Sequence, residues 1–228
     1  MGDNAQTSVP KFTSGDVLTA ANTNLLSNGI PVFSGTATRN DAFGGTGEKV
    51  LAEGQFAFLE DSNSTQFYDG SAWQSVSATP QIAIFNETQA ANTAGGTNTT
   101  GSFIKRTLNT TVVNDITGCS IASSVITLPA GTFYVWGNAP FYRTGRAQLR
   151  LRNTSDSTNA IIGQSAYYVT AYEVQGVSQL LGYFTIAASK NFELQAYTQT
   201  SEATFGLGLA MNFGVSEVYS QISITKVA

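Results

Sequence analysis

The chain contains no histidine, which removes Ser-His-Asp and Cys-His catalysis and the commonest ligand of catalytic zinc. Hydrolysis by paired carboxylates stays open to a histidine-free chain. Its candidates are Glu173, Glu193, Glu202 and Glu217, single acids scattered over strand-like segments where carboxylates are usually solvated or paired. Gly44-Gly45-Thr46-Gly47-Glu48-Lys49 lacks the spacing of a phosphate loop, and no Ser or Thr follows the lysine. Asp61-Ser62-Asn63-Ser64-Thr65 begins like a calcium loop but has neither the glycine at the sixth place nor the glutamate at the twelfth, so it reads as a hairpin turn. The expectation is a non-enzymatic chain with no metal and no cofactor.

Binding chemistry is better represented. Arg143, Arg146, Arg150 and Arg152 make up four of the 11 basic residues. Strand alternation puts Arg146, Gln148, Arg150 and Arg152 on one face and Ala147, Leu149 and Leu151 on the other. That face reads first as a solvated or inter-subunit surface paired with carboxylates, and second as a surface recognising an acidic glycan. Tyr142 with Arg143, and Tyr167 with Tyr168 in the run leading to Tyr172, offer stacking faces and charge-assisted hydrogen bonds to sugars and are the candidate glycan contacts. Cys119 is the one cysteine, which forbids an intrachain disulfide and reads as a small buried hydrophobe.

The elements that must position these residues are strands. Only 11% of residues are charged although 42% are hydrophobic, against about 25% charged in an average domain. The polarity therefore comes from Thr, Ser, Asn and Gln, with aromatic and β-branched residues between turn formers, an all-β composition. After residue 80 strand-like runs recur at 82–85, 103–108, 125–128, 133–138, 146–152, 161–169, 179–186, 192–198, 205–213 and 218–227. That many strands in under 150 residues fits a jelly-roll β-sandwich. In the run 205–213, Phe205, Leu207, Leu209, Met211 and Phe213 alternate with small residues, so the large side is expected inside.

Residues 1–80 form a small segment with one short helix and a β-meander. Thr19 is the expected N-cap of a helix over 20–28, stopped by Gly29 and Pro31. Its apolar stripe is too narrow to fold alone, so Leu18, Leu25 and Leu26 are expected to bury against a partner chain. Strands at 54–60 and 65–68, and the Asp69-Gly70 turn into Trp73, make the meander. The Ser, Ala, Thr and Pro of 75–80 mark the boundary to the jelly roll of 81–228.

Reading the two faces of the jelly-roll strands separates an aliphatic and Phe set from a Tyr and Trp set. Phe133 and Val135 oppose Tyr134 and Trp136; Phe184 opposes Tyr183; Leu194 opposes Tyr197; Ile222 opposes Tyr219. The first set fills the sandwich, so Tyr134, Trp136, Tyr183, Tyr197 and Tyr219 are expected to line a three-fold subunit interface.

Charge narrows the partners. Residues 1–80 carry 3 basic and 8 acidic side chains, and residues 81–228 carry 8 and 7, so neither half looks like a nucleic-acid binder. No apolar run approaches the ~18 residues a membrane helix needs, and the first residues lack a signal-peptide core. The expectation is cytosolic synthesis without membrane insertion.

Two stretches resemble bacteriophage virion proteins. Phe12, Gly15-Asp16-Val17-Leu18-Thr19-Ala20-Ala21 and Asn24, followed by Val32-Phe33, Arg39, Glu53-Gly54-Gln55, Leu59-Glu60-Asp61, Tyr68-Asp69-Gly70 and Trp73, resemble the N-terminal module of phage tail and fibre proteins. Gly101 to Asn109, Ile126 to Phe133, Ala139-Pro140, Arg146 with Leu149, and Val218 to Val227 resemble the C-terminal jelly roll of phage fibres, which is similar in plan to the trimeric tumour-necrosis-factor and complement globular domains. The resemblance implies a homotrimer assembled onto the virion: 1–80 fastened to other virion proteins and 81–228 displayed outward to contact the host surface, where the glycan contacts read from the residues above would meet a cell-surface glycan. A tail fibre or receptor-binding protein is the leading reading. A capsid fibre or decoration protein is the alternative, and a glycan depolymerase the third.

Overall fold

The computed structural model describes residues 5–20, 29–76 and 81–227, which fall into two compact units, 1–79 and 80–228. The helix expected over 20–28 lies, from residue 21 on, outside the described residues, and Leu25 and Leu26 lie there with it.

In the first unit β1 (Val32–Phe33) is followed by the helix α1 (Thr36–Asp41), β2 (Phe56–Leu59), β3 (Ser64–Tyr68) and β4 (Trp73–Ser75). The sheet order is β1-β2-β3-β4, with β1 parallel to β2 and the later pairs antiparallel. The meander has local causes. Asn63 adopts φ 47° in the β2–β3 turn, a left-handed position that asparagine tolerates. Asp69 Oδ1 accepts the backbone N–H groups of Ser71 and Ala72 at 2.9 and 2.7 Å, closing the β3–β4 turn. Phe33, Ala42, Ala57 and Leu59 form a small core against Val9, Phe43 and Trp73.

The sequence gives no periodic signal for α1. Arg39 is its one buried residue; the guanidinium lies 4.6 Å from the Trp73 ring centroid and bonds Gln66 and Asn40. A six-residue helix fixed by one arginine carries no apolar stripe to read.

The second unit is an all-β jelly roll. Its strands are β5 (Gln81–Gln89), β6 (Ile104–Lys105), β7 (Thr110–Asn114), β8 (Ser120–Ala122), β9 (Val125–Leu128), β10 (Gly131–Tyr142), β11 (Gly145–Asn153), β12 (Thr158–Tyr168), β13 (Gln175–Ile186), β14 (Lys190–Thr198) and β15 (Glu217–Lys226). One sheet runs β13-β10-β15-β5-β7; the other runs β12-β11-β14-β9-β8, with β6 also pairing β14. Alternate residues of both sheets fill one interior: Phe85, Phe133, Val135, Phe141, Leu180, Ile222 and Ile224 from the first, Ile126, Leu128, Leu149, Leu151, Phe192 and Leu194 from the second. The edges β12 and β13 close on each other, Ser178 Oγ donating to the Gln164 carbonyl at 2.9 Å. Gly163 permits this approach, since a Cβ there would stand 2.7 Å from the Gln179 carbonyl oxygen.

Two expected strands differ. Residues 205–213 form a turn-rich loop: Gly208 takes φ 146°, and the loop is tied to the chain before β6 by Leu207 N–H to Gly96 O at 3.0 Å and Gly95 N–H to Gly208 O at 2.9 Å. Its large residues do not share an interior, for Leu207 is buried while Phe213 is 80% exposed. The strand expected over 103–108 shrinks to Ile104–Lys105, with Arg106 and Leu108 continuing the buried face beyond it.

Candidate functional site

Chain geometry gives the two outer faces of the sandwich different chemistry. On the five-stranded sheet, β10 and β13 pair Tyr134 with Tyr183 and Trp136 with Leu181. All four face out of the sandwich; Tyr183 and Leu181 are 63% and 59% exposed and Tyr134 46%. Val177 of β13 and Ile162 of β12 are exposed as well, and Trp136, Leu181 and Ile162 share a shallow cavity of about 250 Å³. Exposed apolar patches of this kind mark interaction surfaces. Complete burial of one such ring removes about 150–250 Å², at most about 4–6 kcal/mol.

Two of the five aromatic residues expected at that surface lie elsewhere. Tyr197 is on β14 of the six-stranded sheet, its ring edge-on to Phe103 at 5.3 Å between centroids. Tyr219 is only 5% exposed. A bulge between Val218 and Gln221 breaks the alternation of β15 and turns the Tyr219 ring inward. Its hydroxyl donates to the Thr93 carbonyl at 2.8 Å. Burial, with Glu217 and Glu87 adding, pushes this phenol up to about 12.

The six-stranded sheet carries the arginine face. Arg146, Gln148, Arg150 and Arg152 project outward from β11 as alternation requires, while Ala147, Leu149 and Leu151 are buried. Arg150 stands 3.7 Å from the Phe103 ring centroid and donates from Nε and Nη2 to Gln195 Oε1 at 2.9 and 2.7 Å. Partial burial, and next the neighbouring Arg152, hold it below the ordinary arginine value. Beside this pair opens a groove of about 570 Å³ lined by Phe103, Arg146, Gln148, Ser165, Tyr197 and Gln199, with Thr100, Ala147 and Ala166. Among the described residues no ion pair within the chain involves Arg146, Arg150 or Arg152, and Arg152 donates to Asn159 at 3.2 Å.

The loop residues expected to touch glycan separate. Tyr142 and Tyr168 are buried: Tyr142 packs edge-on to Phe205, and Tyr168 stacks on Phe141 at an interplanar angle of 15°. Tyr168 belongs to the sandwich core, whereas Tyr142, one residue past the core residue Phe141, is covered by the 205–213 loop, its backbone N–H donating to the Gly206 carbonyl at 3.2 Å. Arg143 adopts φ 55° in the β10–β11 turn and donates from Nε to the Thr170 carbonyl at 3.0 Å. Tyr167 is exposed and pairs across the strands with Arg146.

Two of the four acidic candidates have side-chain partners. Glu217 Oε1 accepts the N–H groups of Met211 and Asn212 at 3.0 and 3.1 Å. Glu193 meets Lys105 at 3.6 Å and accepts from Gln195 at 2.7 Å. Glu173 is exposed, and Glu202 bridges backbone with Asn98. Among the described residues no cluster of His, Cys, Asp or Glu is placed to hold a metal, and no helix is long and apolar enough to cross a membrane.

A buried ion pair escaped the sequence reading. Arg106 and Glu87 meet at 3.2 Å with their side chains 0% and 1% exposed. Strand alternation carries the signal, since Glu87 shares its face of β5 with the core residues Ala83 and Phe85.

Fold and surfaces together define an all-β jelly-roll protein with an aromatic outer face and a polar, arginine-bearing one. No protein-family model matches the chain, and no curated protein matches it. Among solved structures it is similar to mouse APRIL (crystal structure at pH 5.0), with 7% identity over 65% of this chain and 100% of that one and a TM-score of 0.44. It is similar also to the globular domain of the zebrafish complement 1qA protein, with 12% identity over 66% and 98% of the two chains and a TM-score of 0.43.

Proposed function

We propose that this chain is a structural, non-enzymatic protein of a bacteriophage particle: a homotrimer joined through the outer face of the five-stranded jelly-roll sheet, fastened to the virion by its first 80 residues and displaying the jelly roll toward the host surface. The observation that carries the association is the exposed pairing of Tyr134 with Tyr183 and Trp136 with Leu181. Rings of this size exposed on one sheet face favour a second surface over water, and Tyr hydroxyls can find polar partners across it. The particle assignment is supported by the two phage-like stretches. Attachment falls to the segment holding Leu18, which is exposed, and Leu25 and Leu26.

Within the particle, a tail fibre or receptor-binding protein is the first reading and a capsid fibre or decoration protein the second. Synthesis is in the host cytoplasm, followed by assembly onto the virion. The depolymerase reading loses ground because the Glu193 carboxylate is held by Gln195 on the six-stranded sheet and the Glu217 carboxylate, on the other sheet, by backbone N–H groups of the 205–213 loop. Imaging of whole particles carrying tagged chain tests the proposal: density at the tail or baseplate supports the first reading, density at capsid symmetry axes supports the second, and no incorporation overturns both.

A further inference from the structure

We infer that the groove on the outer face of the six-stranded sheet is a binding site for a carboxylate-bearing sugar. The arginine at its wall is the first reason. The Arg146 guanidinium makes no ion pair or hydrogen bond among the described residues, whereas Arg150 is committed to Gln195 and Phe103. An uncommitted guanidinium is a planar fork suited to a carboxylate. None of the lining side chains is acidic, so no internal carboxylate competes for it.

The rest of the lining favours a sugar over a merely charged partner. Gln148 donates from Nε2 to the Gly163 carbonyl and to Ser165 Oγ at 3.1 and 3.2 Å, which fixes the amide and leaves its Oε1 without a partner among the described residues. Gln199 accepts the Arg146 N–H through Oε1 at 3.2 Å and keeps its amide N–H groups for a ligand. Two preset amides, one offering an acceptor and one a donor, match the hydroxyls of a pyranose ring. The Phe103–Tyr197 pair supplies aromatic surface for its apolar C–H face. At about 570 Å³ the groove lies within the ~300–1,000 Å³ typical of small-ligand sites. Tyr197, expected from the sequence at the subunit interface, here becomes a wall of the binding site, and Tyr167 flanks it through its register with Arg146.

This deepens the proposed host-surface role by naming the ligand class, but the site lies on the sheet opposite the association face and its test is separate. The intact protein is offered immobilised oligogalacturonate, oligosialate, neutral oligogalactose and polyglutamate, with sedimentation run in parallel. The expected result is binding of at least one acidic oligosaccharide, stronger than binding of the neutral one and of polyglutamate. Arg146→Gln should weaken it about tenfold or more, Tyr197→Ala should weaken it also, and Arg152→Gln should leave it near wild type. No binding of either acidic oligosaccharide at millimolar concentration overturns the inference. Equal binding of polyglutamate, or an Arg146→Gln protein that binds as well as wild type, overturns it too. Loss of the trimer with sugar binding intact would instead count against the assembly alone.

Discussion

Arg106 and Glu87 form an ion pair closed off from water, with Arg106 Nη2 donating to Glu87 Oε2 at 3.2 Å and to the Leu207 carbonyl at 2.8 Å. Arg106 Nε donates to Ser220 Oγ at 2.7 Å, and that hydroxyl donates on to Glu87 Oε2 at 3.0 Å. One guanidinium thus ties β5, β15 and the 205–213 loop together. Burial pulls the Arg106 value down and Glu87 opposes the shift.

Removing one partner leaves a buried charge uncompensated, which costs about 3–5 kcal/mol. Arg106→Ala should therefore lower the unfolding free energy by about that amount in denaturant titration. Arg106→Met combined with Glu87→Leu should cost less than Arg106→Ala alone. A single variant as stable as wild type would show that the pair contributes no cohesion.

Tyr219 makes stability depend on alkaline pH. Its phenol is raised from 10.0 to about 12 in the folded chain, so the folded state favours the protonated hydroxyl that donates to Thr93. The stabilisation is complete below pH 10 and is lost as pH rises toward 12. Wild type should lose more stability than Tyr219→Phe over that window, and parallel pH profiles would contradict this. Gly208→Ala should destabilise as well, because a Cβ there would stand 2.1 Å from Tyr219 Cδ1.

Much of this arrangement was legible in the residues, and the failures have physical causes. The run 125–128 is a strand at its expected bounds, and the inward set Phe133, Val135, Leu149, Leu151 and Leu194 lies in the core. Period-2 reasoning holds wherever a strand stays regular. It fails at Tyr219 because one extra residue in β15 reverses the face, and no residue type announces that bulge. It fails over 205–213 because glycines that look like the small side of a strand instead allow the backbone to leave it. Tyr197 kept its face but was assigned the wrong sheet: alternation says that a side chain points outward, not which of two outer surfaces it joins. The groove was half legible, its arginines read from β11 and its aromatic wall missed because Phe103 reaches it through the two-residue strand β6.

Cys119 offers a check on the closed sandwich. Burial pushes its thiol up to about 11, so little thiolate exists near neutral pH. Native protein should react with a maleimide far more slowly than protein unfolded in denaturant. Equal rates would mean that this end of the jelly roll opens freely.

Truncation tests the attachment segment. Protein lacking residues 1–30 should keep the jelly roll and its association, because the second unit has its own core, yet fail to join particles. Normal incorporation of the truncated chain would show that attachment lies elsewhere.

Sedimentation equilibrium on three proteins addresses the association face most directly. Wild type should sediment at three times the chain mass. A Trp136→Ser, Tyr183→Ser variant, altered only on exposed positions of the five-stranded sheet, should fall to monomer. Tyr197→Ser, altered on the opposite sheet, should remain a trimer. A monomeric wild type, or a Trp136→Ser, Tyr183→Ser protein that trimerises as tightly as wild type, would contradict the account.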